Sequence, residues 1–252
     1  MVGLGDVPFG RALAAKRIEK ATERSVQWWR EHVALRRNEG ARARLFAPLL
    51  PVSCATQGDY IDCLLQDLAV GVVHGLAVYD LSSLEDLPKE LGHLPRLGFT
   101  APETPHDVLG HIASGLDVLT IPFITSATEA GIALTFTFPT PHENDDEQNG
   151  TLPFPLGVDM WSPQHAVDLS PLDKQCVCYT CATHHRAYVQ HLLSAKEMLG
   201  WVLLQIHNHS VVDRFFAAVR GSMVAGRFER DVEVFGRGHE RRLPEGTGKG
   251  PR

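Results

Sequence analysis

Three of the five cysteines in this 252-residue chain fall within six consecutive positions. Cys176, Cys178 and Cys181 form a C-x-C-x2-C run, and several histidines follow it. In a chain with no secretory leader pattern, clustered cysteines favour a metal site over a disulfide framework. Zn²⁺ takes four tetrahedral ligands from thiolate sulfur and imidazole nitrogen. We therefore predict a zinc site in which a histidine supplies the fourth ligand.

Spacing alone does not select that histidine. His207 follows Cys181 after 25 intervening residues, and the alternatives are His184, His185, His191 and His209. Three thiolates bring a charge of −3 against +2 on the metal, so bound water is a poor candidate for activation. We therefore expect a closed, structural site. A chance cluster of reduced cysteines, or a disulfide between Cys176 and Cys181, is the alternative.

Composition limits the other functional classes. The chain has 30 acidic and 24 basic residues and a net charge of −6. A protein that grips nucleic acid unaided usually has a basic excess, so RNA binding here requires a local patch or a partner. No stretch approaches the roughly 20 apolar residues of a membrane span. The amino terminus has no basic region followed by an apolar run, and we expect a cytosolic protein.

Short apolar runs alternate with amphipathic segments in the first half of the chain. We predict helices at 11–38, 58–70, 84–91 and 104–114, and strands at 43–52, 74–79, 96–100 and 117–124. This alternation is typical of a parallel sheet flanked by helices. A proline-rich irregular stretch, 139–172, comes next. Two helices at about 183–201 and 208–226 and a disordered tail at 236–252 complete the prediction.

Residues 171–210 resemble the zinc-binding segment of tRNA-guanine transglycosylases. They share its cysteine spacing, a RAY-x-x-HLL-x-A helix, an E-x-LG turn and a final HN. Further likeness is carried by KATERSVQW, by PRLGFTAPETPHDVLGHIASGLDVL and by GRFERDVEVF at 226–235, so the resemblance runs over about 2–235. It implies that His207 is the fourth zinc ligand.

The resemblance also implies a fold and an activity. We expect an α/β protein: a partial TIM (β/α)8 barrel that lacks its first strands, with a zinc-binding subdomain near the carboxyl end. The barrel part would cover 1–172, and the zinc-binding subdomain with the closing helices 173–235. Enzymes of this family exchange guanine at the tRNA wobble position for a 7-deazaguanine base, queuine in eukaryotes. An aspartate at the carboxyl end of a strand attacks the ribose.

The catalytic positions depart from the family's pattern. The nucleophile segment resembles G-[VI]-D-M-F-D-C, whereas this chain reads GLDVLTI and has Thr120 at the nucleophile position. A threonine nucleophile needs an adjacent base, and none is evident nearby. We interpret Asp117, which matches the motif's earlier aspartate, as structural. Ser126 and Glu129 replace two arginines that engage tRNA, and a glutamate repels phosphate.

The base-recognition positions depart from the pattern as well. An expected aspartate aligns with Gly5, although Asp6 lies beside it. The family's V-Q-G run becomes residues 49–51, Leu-Leu-Pro, which loses a glutamine. A glycine pair becomes Tyr79 and Asp80. Paired glycines let a flat base lie against the backbone, whereas a tyrosine ring fills that space.

Five features of the family's site are therefore changed: the nucleophile, the arginine pair, the aspartate, the glutamine and the glycine pair. This pattern resembles that of the family's accessory, non-catalytic subunits. That resemblance implies a heterodimer with a catalytic tRNA-guanine transglycosylase subunit, tRNA contact through the complex, one structural Zn²⁺ and no integral membrane association. It implies a cytoplasmic location and allows peripheral association with the outer mitochondrial membrane. Two alternatives stay open: an active transglycosylase with a rearranged site, and a zinc-stabilised interaction module with no tRNA role.

Overall fold

The computed structural model describes residues 1–8, 14–40, 42–139 and 153–248. The chain divides into two units. The first is formed by Met1–Pro102 and Asp107–Thr120, and the second by Glu103–His106 and Ile121–Arg252. The strand–helix alternation of the sequence lies in the first unit, and the cysteine cluster lies in the second.

A parallel sheet organises the first unit. Its strands pair in the order β1 (Phe46–Pro48), β2 (Gly75–Val78), β3 (Arg96–Gly98) and β4 (Val118–Leu119). Val2 adds a parallel bridge to Phe46 on the outer side of β1. Every residue of β2 is buried, as expected for a strand covered on both faces. The predicted α/β class with a parallel sheet is confirmed.

The helices of this part of the chain are α1 (Ala15–Glu39), α2 (Gly58–Ala69) and α3 (Pro105–Ala113). Helix α1 buries Ala21, Ser25 and Trp29, which are spaced four residues apart on one face. The indole Nε1 of Trp29 donates a 2.8 Å hydrogen bond to Asp67 of α2. The sheet, α1 and α2 share a core in which Leu45, Leu64 and Leu76 have no exposed surface.

Two predicted elements of this part are wrong. The helix expected at 84–91 is a 3-10 turn at Leu81–Leu84 followed by further turns, because Asp86 has a left-handed φ of 55° and Pro88 interrupts the ladder. The strand expected at 117–124 pairs only at Val118–Leu119, and Phe123 already begins a helix after Pro122. A short apolar run fits a strand and a buried helix equally well.

The second unit is mainly helical. Helix α4 (Phe123–Glu129) leads into an antiparallel pair, β5 (Ile132–Leu134) and β6 (Gly157–Asp159). The remaining helices are α5 (Tyr179–Thr183), α6 (Arg186–Ser194), α7 (Met198–Val224) and α8 (Phe228–Gly238). None of the helices in the described ranges combines the length and apolar character that a bilayer crossing requires.

The helix boundaries near the cysteines differ from the prediction. The break falls at residues 195–197, where Lys196 has a left-handed φ of 59°, and α7 then runs unbroken through His207. Towards the carboxyl end, α8 continues to Gly238, His239 is buried, and Thr247 donates to the carboxylate of Asp159. Part of the segment expected to be disordered thus has a described structure.

Candidate functional site

The structure brings the three cysteines and His207 together as one cluster. Their ligand atoms all lie within 4.8 Å of one another. Nδ1 of His207 is 3.3 Å from Sγ of Cys181 and 3.8 Å from Sγ of Cys178. Around one tetrahedral Zn²⁺, ligand atoms are separated by about 3.5–3.8 Å. The four donors are therefore already close to the arrangement that a single ion requires.

Local structure explains how the cysteines converge. Cys178 is the N-cap of α5, and its sulfur accepts a hydrogen bond from the Cys181 amide at 3.4 Å. The hydroxyl of Thr180, which lies between them, donates to the carbonyl of Leu203 in α7 at 2.8 Å. Cys176 is 6% exposed, so the cluster is shielded on that side. The short helix is thereby fixed against the longer one.

The imidazole of His207 is oriented by strand β5. Its Nε2 lies 2.8 Å from the carbonyl oxygen of Leu134, which can only accept, so Nε2 carries the proton and donates it. Nδ1 is then left facing the sulfur atoms. The next residue, Asn208, accepts from the Leu134 amide at 2.8 Å and donates to the Ile132 carbonyl at 3.0 Å. A hydrogen bond of this kind to a ligating histidine fixes its tautomer.

The cluster is strongly anionic in character. Burial disfavours a charged imidazole, yet hydrogen bonds with the three sulfur atoms prevail and raise the pKa of His207 to about 11. Burial likewise opposes a charged thiolate at Cys176, but the hydrogen bond with His207 helps to lower its pKa to about 6. A pocket that stabilises positive charge beside thiolates suits a cation with a preference for sulfur and nitrogen.

The other candidate histidines have different roles. His185 caps α6 by accepting from the Tyr188 amide, and His184 stacks on the Tyr188 ring at 5.0 Å. His209 hydrogen-bonds Gln205 on the outside of α7.

All five cysteines are free thiols, so the alternative disulfide does not form. The cluster could hold a metal ion. Sequence reasoning missed the supporting residues Thr180 and Asn208, although the final HN contained Asn208.

Thr120, at the position of the family's nucleophile, lies at the carboxyl end of β4. Its hydroxyl donates a 2.7 Å hydrogen bond to the Thr100 carbonyl, and its amide bonds Gly98 at 3.3 Å. The hydroxyl proton therefore points to a carbonyl oxygen and not to a base. Asp117 accepts from the Arg96 amide at 2.8 Å, which fits the structural role that we assigned to it.

The base-recognition positions lie near the carboxyl end of the same sheet. A Cβ on Gly5 would meet Pro48, the last residue of β1. Asp6 is paired with Arg17 and Arg24. The hydrogen bond from Arg17, with a second from Arg24, outweighs burial and lowers the pKa of Asp6 to about 2. Asp6 is thus a committed partner of two arginines.

The loop after β1 is held by a residue outside the family comparison. The side chain of Gln57 is fully buried and bonds both the amide and the carbonyl of Leu50 at 3.0 Å.

After β2, Tyr79 stacks on Phe99 with ring centroids 5.2 Å apart and planes 17° apart. In the second unit, Ser126 and Glu129 lie exposed on α4.

These features define the class of protein: an α/β chain with a parallel sheet and a Cys3His cluster that could hold a metal ion. The chain belongs to the queuine tRNA-ribosyltransferase (TGT) family, whose sequence model matches residues 1–241. The family resemblance drawn from the cysteine segment is therefore confirmed.

Individual relatives refine the comparison. The chain is 35% identical, over its whole length, to "Queuine tRNA-ribosyltransferase accessory subunit 2" of Schizosaccharomyces pombe and covers 56% of that protein. It is 32% identical to the protein of the same description in Xenopus laevis, over 52% of this chain and 37% of the relative. A "Queuine tRNA-ribosyltransferase" of Aliivibrio salmonicida is 38% identical over 34% of this chain and 23% of its own length. The chain spans about half the length of the first of these relatives.

Proposed function

We propose that this chain acts as the non-catalytic subunit of a queuine tRNA-ribosyltransferase and supports the exchange of guanine for queuine at the tRNA wobble position by a catalytic partner. The full-length similarity to an accessory subunit 2 supports this assignment. One structural observation carries this assignment: Thr120 stands at the nucleophile position, and its hydroxyl donates a hydrogen bond to the Thr100 carbonyl. That arrangement offers no base to activate the oxygen.

The surroundings of Thr120 support the same proposal. Tyr79 and Phe99 stack on each other in the space that a glycine pair would leave open for a base. Asp6 is engaged by two arginines and has its pKa lowered to about 2, so it is a poor proton acceptor at neutral pH. Among the described contacts, the Thr120 hydroxyl therefore has no base as its partner, and Tyr79 occupies the position of the glycine pair.

We further propose that Cys176, Cys178, Cys181 and His207 hold one structural Zn²⁺. Three thiolates and one imidazole complete a tetrahedral shell and leave no position for substrate. When bound, the ion would cross-link the cysteine segment to α7. It would not act as a Lewis acid. His207 is turned toward it by the Leu134 carbonyl.

We infer a TIM-type barrel part over 1–172 and a zinc-binding subdomain over 173–235. The parallel sheet of the first unit is compatible with a barrel fragment. The relatives' description as accessory subunits supports a heterodimer with a catalytic homologue. We also propose tRNA contact through that complex and a cytoplasmic location.

Guanine exchange tests this function. The purified chain, the catalytic homologue and their mixture would each be assayed for incorporation of labelled guanine into tRNA. We expect exchange by the mixture above that of the homologue alone, and none by this chain. Exchange by this chain alone, with a covalent tRNA adduct, would identify a rearranged active enzyme. Binding to the homologue without any effect on exchange would identify an interaction module.

A further inference from the structure

A cavity of about 630 Å³ lies in the second unit, beside the antiparallel pair β5 and β6. Its volume falls within the range of sites for small organic molecules, about 300–1,000 Å³. The lining residues come from segments that are far apart in the sequence, including the end of β5, the start of β6 and the end of α8. The four candidate zinc ligands and Thr120 do not belong to this lining.

Two threonine side chains contribute polar groups to the cavity. Thr135 and Thr137 alternate with the buried rings of Phe136 and Phe138, since successive side chains of an extended segment point to opposite faces. The Thr135 amide donates to the Leu156 carbonyl at 3.0 Å, so the pairing with the β6 segment continues through this residue. Neither threonine hydroxyl bonds another group in the described ranges. Both hydroxyls are therefore available to a ligand.

The phenyl ring of Phe154 provides an apolar surface in the same cavity. The ring is 53% exposed, while the backbone is fixed by hydrogen bonds with the Gly238 carbonyl at 2.8 Å and the Glu240 amide at 2.9 Å. The His239 ring lies 6.3 Å from it, and burial lowers the pKa of His239 to about 4, so this imidazole is uncharged at neutral pH. An exposed ring on a fixed backbone suits stacking by a flat ligand.

The charged groups of the lining leave one positive charge unmatched. Arg214 donates a 2.6 Å hydrogen bond to Asp173, and these two charges offset each other. Arg186 donates to the carbonyls of residues 171 and 172 and lies 3.7 Å from Asp168. Lys174 is exposed and forms no ion pair with the part of the chain that the structure describes. Its ammonium group is therefore free to bind an anion.

We propose that this cavity binds a small organic anion, whose flat aromatic ring lies against Phe154 and whose single carboxylate or phosphate group is held by Lys174. The hydroxyls of Thr135 and Thr137 bond polar atoms on the ring. A charge-assisted hydrogen bond is roughly twice as strong as a neutral one, so the anionic group contributes much of the selectivity. A largely apolar lining with a few polar groups is typical of small-molecule sites. This site is independent of the proposed function, since it shares no residue with the sheet edge or the cysteine cluster.

Isothermal titration calorimetry of the full chain tests this proposal. Kynurenate serves as one probe, because it combines a flat bicyclic ring, a ring oxygen and one carboxylate. Its primary amide has nearly the same shape without the charge. AMP and adenosine form a second pair, in which the anionic group is a phosphate. We expect one anion of the two to bind at about one molecule per chain and about tenfold more tightly than its uncharged analogue. The anion that binds more tightly identifies the group that Lys174 holds.

Substitutions separate the charge contact from the ring contact. With the tighter anion, Lys174→Gln should weaken binding by about tenfold and should leave binding of the uncharged analogue unchanged. Lys20→Gln, at an exposed lysine of α1, is the matched control. Phe154→Leu should weaken binding of the anion and of its analogue alike, since both lose the ring. Phe99→Leu, at a phenyl ring 40% exposed in the first unit, should weaken neither.

The melting temperature of each variant reports whether it has folded. If Lys174→Gln and Phe154→Leu fail to fold, Thr137→Val decides the question, because valine keeps the shape of the side chain and lacks the hydroxyl. We expect this variant to bind the anion about fivefold more weakly. The proposal is overturned if neither anion binds more tightly than its uncharged analogue. Wild-type affinity for the anion in folded Lys174→Gln, in folded Phe154→Leu or in Thr137→Val also overturns it.

Discussion

At the scale of single residues, polar groups at the carboxyl edge of the sheet serve the fold. The Thr120 hydroxyl is bonded to the Thr100 carbonyl, and the Gln57 amide is bonded to the backbone at Leu50. Asp6 is held by arginines of α1. Groups with satisfied hydrogen bonds stabilise a loop but have little freedom to take part in chemistry. Each can therefore be tested by its effect on stability.

Thr120→Val should lower stability without affecting function. Valine has nearly the same shape but cannot donate to the Thr100 carbonyl, so we expect a loss of about 1 kcal/mol. Thermal melting should show a decrease of about 2–4 °C. Stimulation of a catalytic partner should stay at the wild-type level. Thr125→Val, at an exposed position on α4, is the control. Lost stimulation at unchanged stability would instead indicate a functional hydroxyl.

His239 should make stability depend on pH. Burial lowers the pKa of its imidazole to about 4, against 6.5 in an exposed reference, and the ring stacks on Phe235 at 4.4 Å. Above about pH 6.5 neither the folded nor the unfolded chain is protonated there, and stability is fully present. Between pH 6.5 and 4 the unfolded chain takes up a proton that the folded chain does not, so stability falls.

Denaturant titrations at several pH values check this effect. His239→Gln should show a smaller loss of stability between pH 6.5 and 4 than wild type, since glutamine does not titrate. His209→Gln, at an exposed histidine, should follow the wild-type curve. Identical pH profiles for wild type and His239→Gln would contradict the assignment.

At the scale of elements, helix α7 organises the second unit. It carries His207 to the cysteines and, one residue later, Asn208 to strand β5. Successive helix positions point about 100° apart, so two adjacent residues can serve two different neighbours. The left-handed residue Lys196 lies in the break between α6 and α7.

His207→Gln should abolish zinc binding. Loss of the imidazole leaves three thiolates without their fourth ligand, and structural sites of this kind contribute folding energy directly. We expect the metal content of protein purified without chelator to fall from about one zinc ion per chain to nearly none. His209→Gln changes a histidine two residues away that bonds only Gln205 among the described contacts, and it should keep its zinc. Equal zinc content in the two variants would refute the ligand assignment.

Asn208→Ala should destabilise the second unit while the metal remains. The side chain is fully buried and bonds the Leu134 amide, the Ile132 carbonyl and the Thr128 hydroxyl. Leaving such groups unsatisfied costs about 1–3 kcal/mol, which chemical denaturation can measure. Gln205→Ala, on the exterior of the same helix, should have a much smaller effect. A drop in zinc content of Asn208→Ala would show that Asn208 also positions the ligand.

At the scale of the whole molecule, two units have different sources of stability. The first has a parallel sheet with a shared apolar core, whereas the second places its metal cluster among helices and a two-stranded sheet. All four candidate ligands belong to the second unit. A cross-link within one unit stabilises that unit directly.

Chelation should therefore act locally. Hydrogen exchange measured by mass spectrometry, with and without a strong zinc chelator, should show faster exchange around residues 172–215. Strands β1 to β3 should keep their protection, since they contain no ligand. Equal loss of protection in the sheet would show that the two units unfold as one cooperative body.

Sequence reasoning succeeded where the information was local. The cysteine spacing pointed to a metal cluster, and apolar runs at 74–79 and 96–100 correctly predicted two parallel strands. It failed at 84–91 and 117–124, because a short apolar run does not distinguish a strand from a buried helix or turn. It also misplaced the helix break after α6, since no sequence rule required Lys196 to adopt a left-handed conformation.

By itself, the sequence determined the kind of metal donor, the family and the departures at Thr120 and Tyr79, because residue identity and spacing carry that information directly. Only the tertiary structure decided which atoms these residues engage. The Leu134 carbonyl that orients His207 comes from 73 residues earlier in the chain. The partner of the Thr120 hydroxyl is a backbone carbonyl, which every residue possesses. Long-range contacts to backbone groups leave no signature in a single sequence, so folding alone specifies them.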